Sequence, residues 1–162
     1  MPTMKHIEPA IPTRGTKVPA GPDWIHEIKY DGFRLIVHRD GDRVRLLTRN
    51  GHDWCSRYPW IVESALKNRT KQFVIDGEAV VLGVDGVSDF EALYSRKCDE
   101  QVQLYAFDTL AMDGDDLRPL PLHMRKANWS SSCRADLTGS LSRHSSVGRL
   151  GLSYSRQRAE WG

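Results

Sequence analysis

Glu27-Ile28-Lys29-Tyr30-Asp31-Gly32-Phe33-Arg34 is the stretch around which the chain is organised. From Trp24 to Tyr30 the side chains alternate as in a strand, with Trp24, His26, Ile28 and Tyr30 on one face and Ile25, Glu27 and Lys29 on the other. Asp31-Gly32 reads as a tight turn, because glycine accepts positive φ, and predicts that Phe33 to His38 returns antiparallel to that strand. Glu27 and Lys29 would then project together, with Arg34 returning beside them. An amine on a rigid strand end, a tight turn and a cation are what attack on a nucleotide α-phosphate requires, and the amine attacks only without its proton. A carboxylate at Glu27 holds that proton on, so Glu27 fits base recognition better than activation of the lysine. Alone, Lys-x-Asp-Gly describes a solvated hairpin better than a nucleophile; the motifs downstream reverse that balance.

Asp40-Gly41 makes a second turn, and Arg43 to Thr48 is a strand with Val44 and Leu46 on one face. Thr48-Arg49-Asn50-Gly51 forces a sharp bend that holds Arg49 at a strand end, where an exposed turn arginine and a ligand-facing one are equally good readings. Pro59 opens a helix with Trp60, Ile61, Ala65 and Leu66 as a modest apolar face. Phe73 to Leu82 is the clearest strand. Within it Asp76 and Glu78 lie two apart and share a face, as carboxylates that touch a ribose or a hydrated magnesium would; a solvent-facing edge would satisfy them equally. Ser88-Asp89-Phe90-Glu91 reads as a capping box opening a short helix. Gln103 to Met112 is another strand, closed by Asp113-Gly114, and its Phe107 is either core or a platform for a purine ring. Leu120 to Lys126 begins a helix, with Arg125 near a phosphate path.

The 162 residues suffice for one domain with a real core. No stretch has the length and apolarity of a membrane span, and the N-terminus lacks the core of a signal peptide, so a cytoplasmic protein is expected. Cys55, Cys98 and Cys133 form no CxxC pair and read as free thiols. Net charge is +2 but uneven: residues 1–126 carry 18 Lys plus Arg against 19 Asp plus Glu, and residues 127–162 carry 5 against 2. Global charge is therefore no evidence for nucleic-acid binding.

With Lys29, Arg49, Asp76-Gly77-Glu78 and Phe107-Asp108 in this order, the chain resembles the covalent nucleotidyltransferases, and within them the ATP-dependent DNA ligases. The likeness is strongest to the ligase domain of bacterial end-joining ligases, through His26 to Arg34, Leu46-Leu47-Thr48-Arg49-Asn50-Gly51 and Tyr105-Ala106-Phe107-Asp108. The resemblance implies an α+β fold of antiparallel sheets with short helices, a partial ATP-grasp-like nucleotidyltransferase domain over residues 19–126 behind a flexible leader at 1–18. It implies that Lys29 forms the phosphoramidate with AMP, that Glu27 recognises adenine, and that Phe107 stacks on it. Arg34 and Arg49 would contact ribose or nick phosphates, and Glu78 would bind ribose or assist a metal. ATP and Mg2+ are the implied cofactors. Nicked or broken double-stranded DNA and end-joining repair proteins are the implied partners of a monomer with no membrane association.

Two family features are missing: no Glu-Gly pair occurs, and no lysine follows Lys126, so the later Glu-Gly-x-Val-x-Lys and Lys-x-Lys strands have no counterpart. Residues 127–162, with nine serines and no clear period, are expected to be a disordered or out-of-frame tail on a truncated adenylation domain whose activity the missing motifs put in question. The rivals are a noncatalytic nucleotide- or DNA-binding remnant, and an RNA ligase or capping-type enzyme sharing the lysine motif.

Overall fold

The computed structural model describes residues 7, 9–22, 24, 26–27, 29–133 and 150–152. Its centre is an antiparallel sheet in the order β2-β1-β3-β4-β5, built from β1 (Phe33–Asp40), β2 (Arg43–Thr48), β3 (Gln72–Val80), β4 (Gln103–Met112) and β5 (Asp115–Asp116). The β1–β2 hairpin closes through Gly41, at φ +61° in the left-handed region, with Asp40 paired to Arg43. Gly51, at φ +79°, turns the chain after β2 and donates its N–H to the Thr48 carbonyl at 2.8 Å. Helices are few: α1 (Pro59–Lys67), α2 (Phe90–Ser95) and α3 (Leu122–Cys133). The α+β expectation holds, and β2 and β4 have the bounds read from their alternation.

The first hairpin is a correction. Among the described residues of 24–30 none is in a strand, and β1 instead pairs with β3 along Phe33–Asp40 and with β2 along Leu35–Asp40. Both edges of β1 are thus occupied, so a strand preceding it has no free ladder to join. Asp31-Gly32 is accordingly not a hairpin turn. Gly32 is required by space: a Cβ there would lie 2.2 Å from the Ala79 carbonyl oxygen. The helix cap differs too. Asp89, not Ser88, caps α2, accepting from the Ala92 N–H at 2.9 Å.

The sheet is apolar on both faces. One face, with Leu35, Val37, Leu46, Phe73, Ile75 and Ala79, packs against Ile61 and Ala65 of α1 and Leu93 of α2 in the main core. Arg39, 3 % exposed, reaches into this side and donates through Nη1 to the carbonyls of Ala65, Asn68 and Thr70, satisfying the C-terminal end of α1. The other face carries a smaller cluster of Ile36, Val74, Leu110 and Ala111, with Ile7 and Leu47 packed against it. Even-numbered positions of β1 and β3 continue this second face toward Arg34, Asp76 and Glu78.

Tyr58 is fully buried in the main core, and its hydroxyl has no hydrogen-bond partner among the described residues; burial pushes its phenol up to about 12. Tyr58→Phe deletes only that unpaired oxygen. The variant is expected to unfold in urea at the parental free energy or up to about 1 kcal/mol above it. A loss of more than about 1 kcal/mol would mean that the hydroxyl is bonded in solution.

Beyond Lys126, α3 continues to Cys133, and β6 (Leu150–Leu152) pairs in parallel with Leu104–Ala106 of β4. Residues 134–149 and 153–162 of the expected tail lie outside the described residues. Among the described residues no helix is long and apolar enough to cross a membrane.

Candidate active site

Antiparallel register sets Arg34 of β1 opposite Glu78 of β3, and Glu78 opposite Tyr105 of β4. Arg34 donates through Nε and Nη2 to the two carboxylate oxygens of Asp76, at 2.9 and 2.6 Å, and through Nη1 to the Ala10 carbonyl of the N-terminal segment. The Asp76 side chain is 3 % exposed, so this bidentate pair supplies the partner that a buried carboxylate needs. It also fixes Arg34 in place, with its guanidinium carbon 5.4 Å from the centroid of the Phe107 ring.

Phe107 owes its placement to a bulge. Asp76 pairs with Asp108 and Gly77 with Ala106, so Phe107 is the extra residue of β4 where the register slips. A bulge re-aims side chains: Thr109 is buried while Tyr105 and Phe107 are half-buried. Asp108, on the other flank of the bulge, receives Arg125 of α3 through Nε and Nη2 at 2.8 and 2.9 Å. The next residue, Lys126, donates to the Phe107 carbonyl and to the Glu27 carboxylate. Arg125 is therefore engaged by a carboxylate rather than standing open to a phosphate.

The segment carrying Lys29 crosses this corner as a strap held by other elements. Glu27 is tied to Lys126, the Tyr30 ring packs on Tyr105 at 4.6 Å, and the Asp31 N–H donates to Ser88 Oγ at 3.0 Å. Gly32 and Lys29, itself exposed, both lie close enough to Glu78 to favour that carboxylate's charged form. Lys29, Glu27, Arg34, Glu78 and Phe107 thus converge from four separate segments. Arg49 is exposed one residue beyond Thr48, whose partner is Leu35, so it stands at the Arg34 end of the sheet. Asp108, Lys126, Ser88 and Tyr105 were not among the predicted site residues. Asp108 and Tyr105 had a local signal, their places beside Phe107 in one motif; Ser88 and Lys126 are brought in by long-range packing.

Burial is the largest influence on both site carboxyls and raises Asp76 and Glu78 above the ordinary range; Arg34 pulls each part of the way back. A carboxyl raised in the folded state contributes stability that is full below its unfolded value and is lost as pH rises through its folded value. These two groups therefore favour the fold on the acid side and oppose it toward neutrality. Glu78→Gln should flatten the fall in stability between about pH 4 and pH 7 followed by urea midpoints, and a steeper fall would contradict the assignment.

Among the described residues no three His, Cys, Asp or Glu side chains are grouped to hold a metal ion. Glu78 is a hard oxygen donor suited to magnesium, and an ion that keeps several waters and phosphate oxygens needs only one or two protein carboxylates. The four carboxylates Glu27, Asp76, Glu78 and Asp108 stand among the cations Lys29, Arg34, Arg125 and Lys126, with Arg49 at the same end of the sheet.

Residues 5–145 match the family described as ATP dependent DNA ligase domain. The chain is 36% identical over 129 residues to the multifunctional non-homologous end joining protein LigD of Pseudomonas aeruginosa, covering 78% of this chain and 15% of that protein. It is 34% identical over 138 residues to DNA ligase C of Mycobacterium tuberculosis, covering 78% of this chain and 38% of the relative. Among solved structures, the ligase domain of M. tuberculosis LigD superposes with a TM-score of 0.58 at 34% identity, over 66% of this chain and 36% of that one. Mycobacterial DNA ligase D complexed with ATP and MES superposes with a TM-score of 0.61 at 29% identity, over 80% and 38%. The chain thus spans well under half the length of each of these relatives.

Proposed function

Because this chain belongs to the ATP-dependent DNA ligases, as adenylation-domain sequence of the end-joining type, we propose that it binds ATP at the Lys29 corner and takes AMP onto the Lys29 amine. The observation that carries this reading is the convergence of Lys29, Glu78, Arg34 and Phe107 at one corner of the sheet. Phe107, with Arg34 against its ring, offers an aromatic surface for the adenine, and Glu27 accepts from the base. Glu78 accepts from the ribose hydroxyls or would help to hold a metal ion. Arg34, kept charged by its pair with Asp76, offers its remaining N–H groups to ribose or phosphate, and Arg49 stands at the same end of the sheet.

In the step itself the unprotonated Nζ of Lys29 attacks the α-phosphorus. The P–N bond forms, the bond to the β-phosphate oxygen breaks, pyrophosphate leaves, and the amine proton passes to solvent. Glu78 would help to hold magnesium there, which when bound would supply neutralisation of charge on the transferring group. In the whole ligase the AMP passes to a DNA 5′-phosphate and the 3′-hydroxyl then displaces it, so nicked or broken DNA is the substrate. The setting is cytoplasmic repair with end-joining proteins as partners and the chain a monomer. Residues 19–126 are the adenylation segment, with 1–18 as leader and 127–162 as a tail. Reading the coding DNA in the other frames after Lys126 tests the tail: recovery of Glu-Gly and Lys-x-Lys motifs supports a frame change, and their absence in both rejects it.

A second reading keeps the nucleotide site without the chemistry. It is favoured by residues 127–162, which hold no Glu-Gly pair and no lysine and so supply neither a further metal-binding carboxylate nor a further lysine for the α-phosphate. Incubation with α-labelled ATP and Mg2+, followed by denaturation, decides between them. The first reading expects label on the protein that excess pyrophosphate discharges and excess GTP leaves in place. ATP binding without label supports the noncatalytic reading, and competition by GTP points to a capping-type enzyme.

A further inference from the structure

We propose that Ser88 and Tyr105 are positioning residues for the Lys29 amine, a role that rests on the adenylation reading above. The strap carries no ladder pairing among its described residues, so its place is set by side-chain contacts rather than by backbone bonding. Two of those contacts lie directly after the nucleophile: the Tyr30 ring on Tyr105 and the Asp31 N–H on Ser88 Oγ. Consecutive Cα atoms are about 3.8 Å apart, so holding Tyr30 and Asp31 confines the Lys29 Cα while leaving its exposed side chain free to turn toward a phosphate.

The Tyr105 hydroxyl donates to the Gln103 side chain while its ring carries Tyr30. Ser88 precedes α2, but Asp89 performs the capping, and the Ser88 hydroxyl is left to the strap 57 residues away in sequence. Tyr105 stands opposite Glu78 in the register of β3 and β4. The ring that supports Tyr30 therefore belongs to the residue that faces Glu78 in the register, and the Asp31 N–H is held on Ser88 immediately after it. Losing either lets the strap move relative to Glu78 without opening the core, because Ser88 and the strap lie outside the main cluster of buried side chains. Misplacing a nucleophile by about 1 Å costs on the order of 100-fold in rate, whereas ground-state binding of ATP by Phe107 and Arg34 does not depend on where the amine stands.

The test uses the full chain with single-turnover transfer from α-labelled ATP, alongside exchange of the Asp31 amide followed by NMR without nucleotide. Ser88→Ala is expected to lower the rate at saturating ATP by about 10- to 100-fold with half-saturation within about twofold, to leave the melting temperature unchanged, and to quicken Asp31 exchange. Ser88→Thr restores the rate, and Tyr105→Leu gives the same rate-only loss. Labelling of Ser88→Ala at the parental rate, or a loss confined to half-saturation, overturns the proposal. If the parent takes no label, the adenylation reading fails, and the tether is then judged on the amide alone: unchanged Asp31 exchange in Ser88→Ala overturns it, and quickened exchange upholds it.

Discussion

Lys29→Ala is expected to take covalent transfer of AMP from ATP below detection while leaving the fold intact. Lys29 is exposed and belongs to a strap without strand pairing among its described residues, so its removal creates no cavity and breaks no ladder. Of the neighbouring amines, Lys126 is held on the Phe107 carbonyl and Glu27 and cannot stand in for it without giving up both. Urea midpoints for parent and variant should agree within about 0.5 kcal/mol. Binding of ATP should persist within about tenfold, because Phe107, Arg34 and Glu78 are untouched. Label on the variant at a tenth of the parental level or more would place the nucleophile elsewhere.

Gly32→Ala should have the largest effect of any methyl group added at the described glycines. The added Cβ would meet the Ala79 carbonyl oxygen at 2.2 Å and Val80 Cγ1 at 2.7 Å. Ala79 cannot retreat, since it is paired with Phe33 on one side and Leu104 on the other. The strap must lift instead, and in lifting it loses the Asp31 contact to Ser88. The expected cost is about 1–3 kcal/mol of stability, with a fall in AMP transfer of about 100-fold or more. Chemical denaturation and the labelling assay measure the two arms; parental values in both would mean that the strap does not lie against β3 in solution.

The sequence made these elements legible in unequal measure, and the reasons are physical. Alternation closed by turn residues made β2 and β4 readable to the residue, and Gly41 and Gly51 marked bends that need positive φ. The segment before β1 alternates just as well, yet alternation reports only a preference for two faces. It does not report whether a neighbouring strand has an edge to offer, and β2 and β3 take both edges of β1. Asp31-Gly32 misled for a related reason: glycine there answers close approach to Ala79, not a turn.

The candidate site divides in the same way. Lys29, Arg34, Glu78 and Phe107 were readable because each sits in a short motif, and the sheet brings them together as their order suggested. What local pattern could not supply was the supporting contacts. The Asp76 partner of Arg34 lies 42 residues away and the Lys126 partner of Glu27 lies 99 away. Ser88 was assigned to a helix cap that its neighbour Asp89 performs.

Proteolysis of the ATP-treated chain and mass mapping of its lysine peptides is the most direct test of the central claim. The account predicts the mass of AMP on the peptide containing Lys29 and on no other, lost when pyrophosphate is added back. AMP on the Lys126 peptide, or on none while ATP still binds, would contradict it.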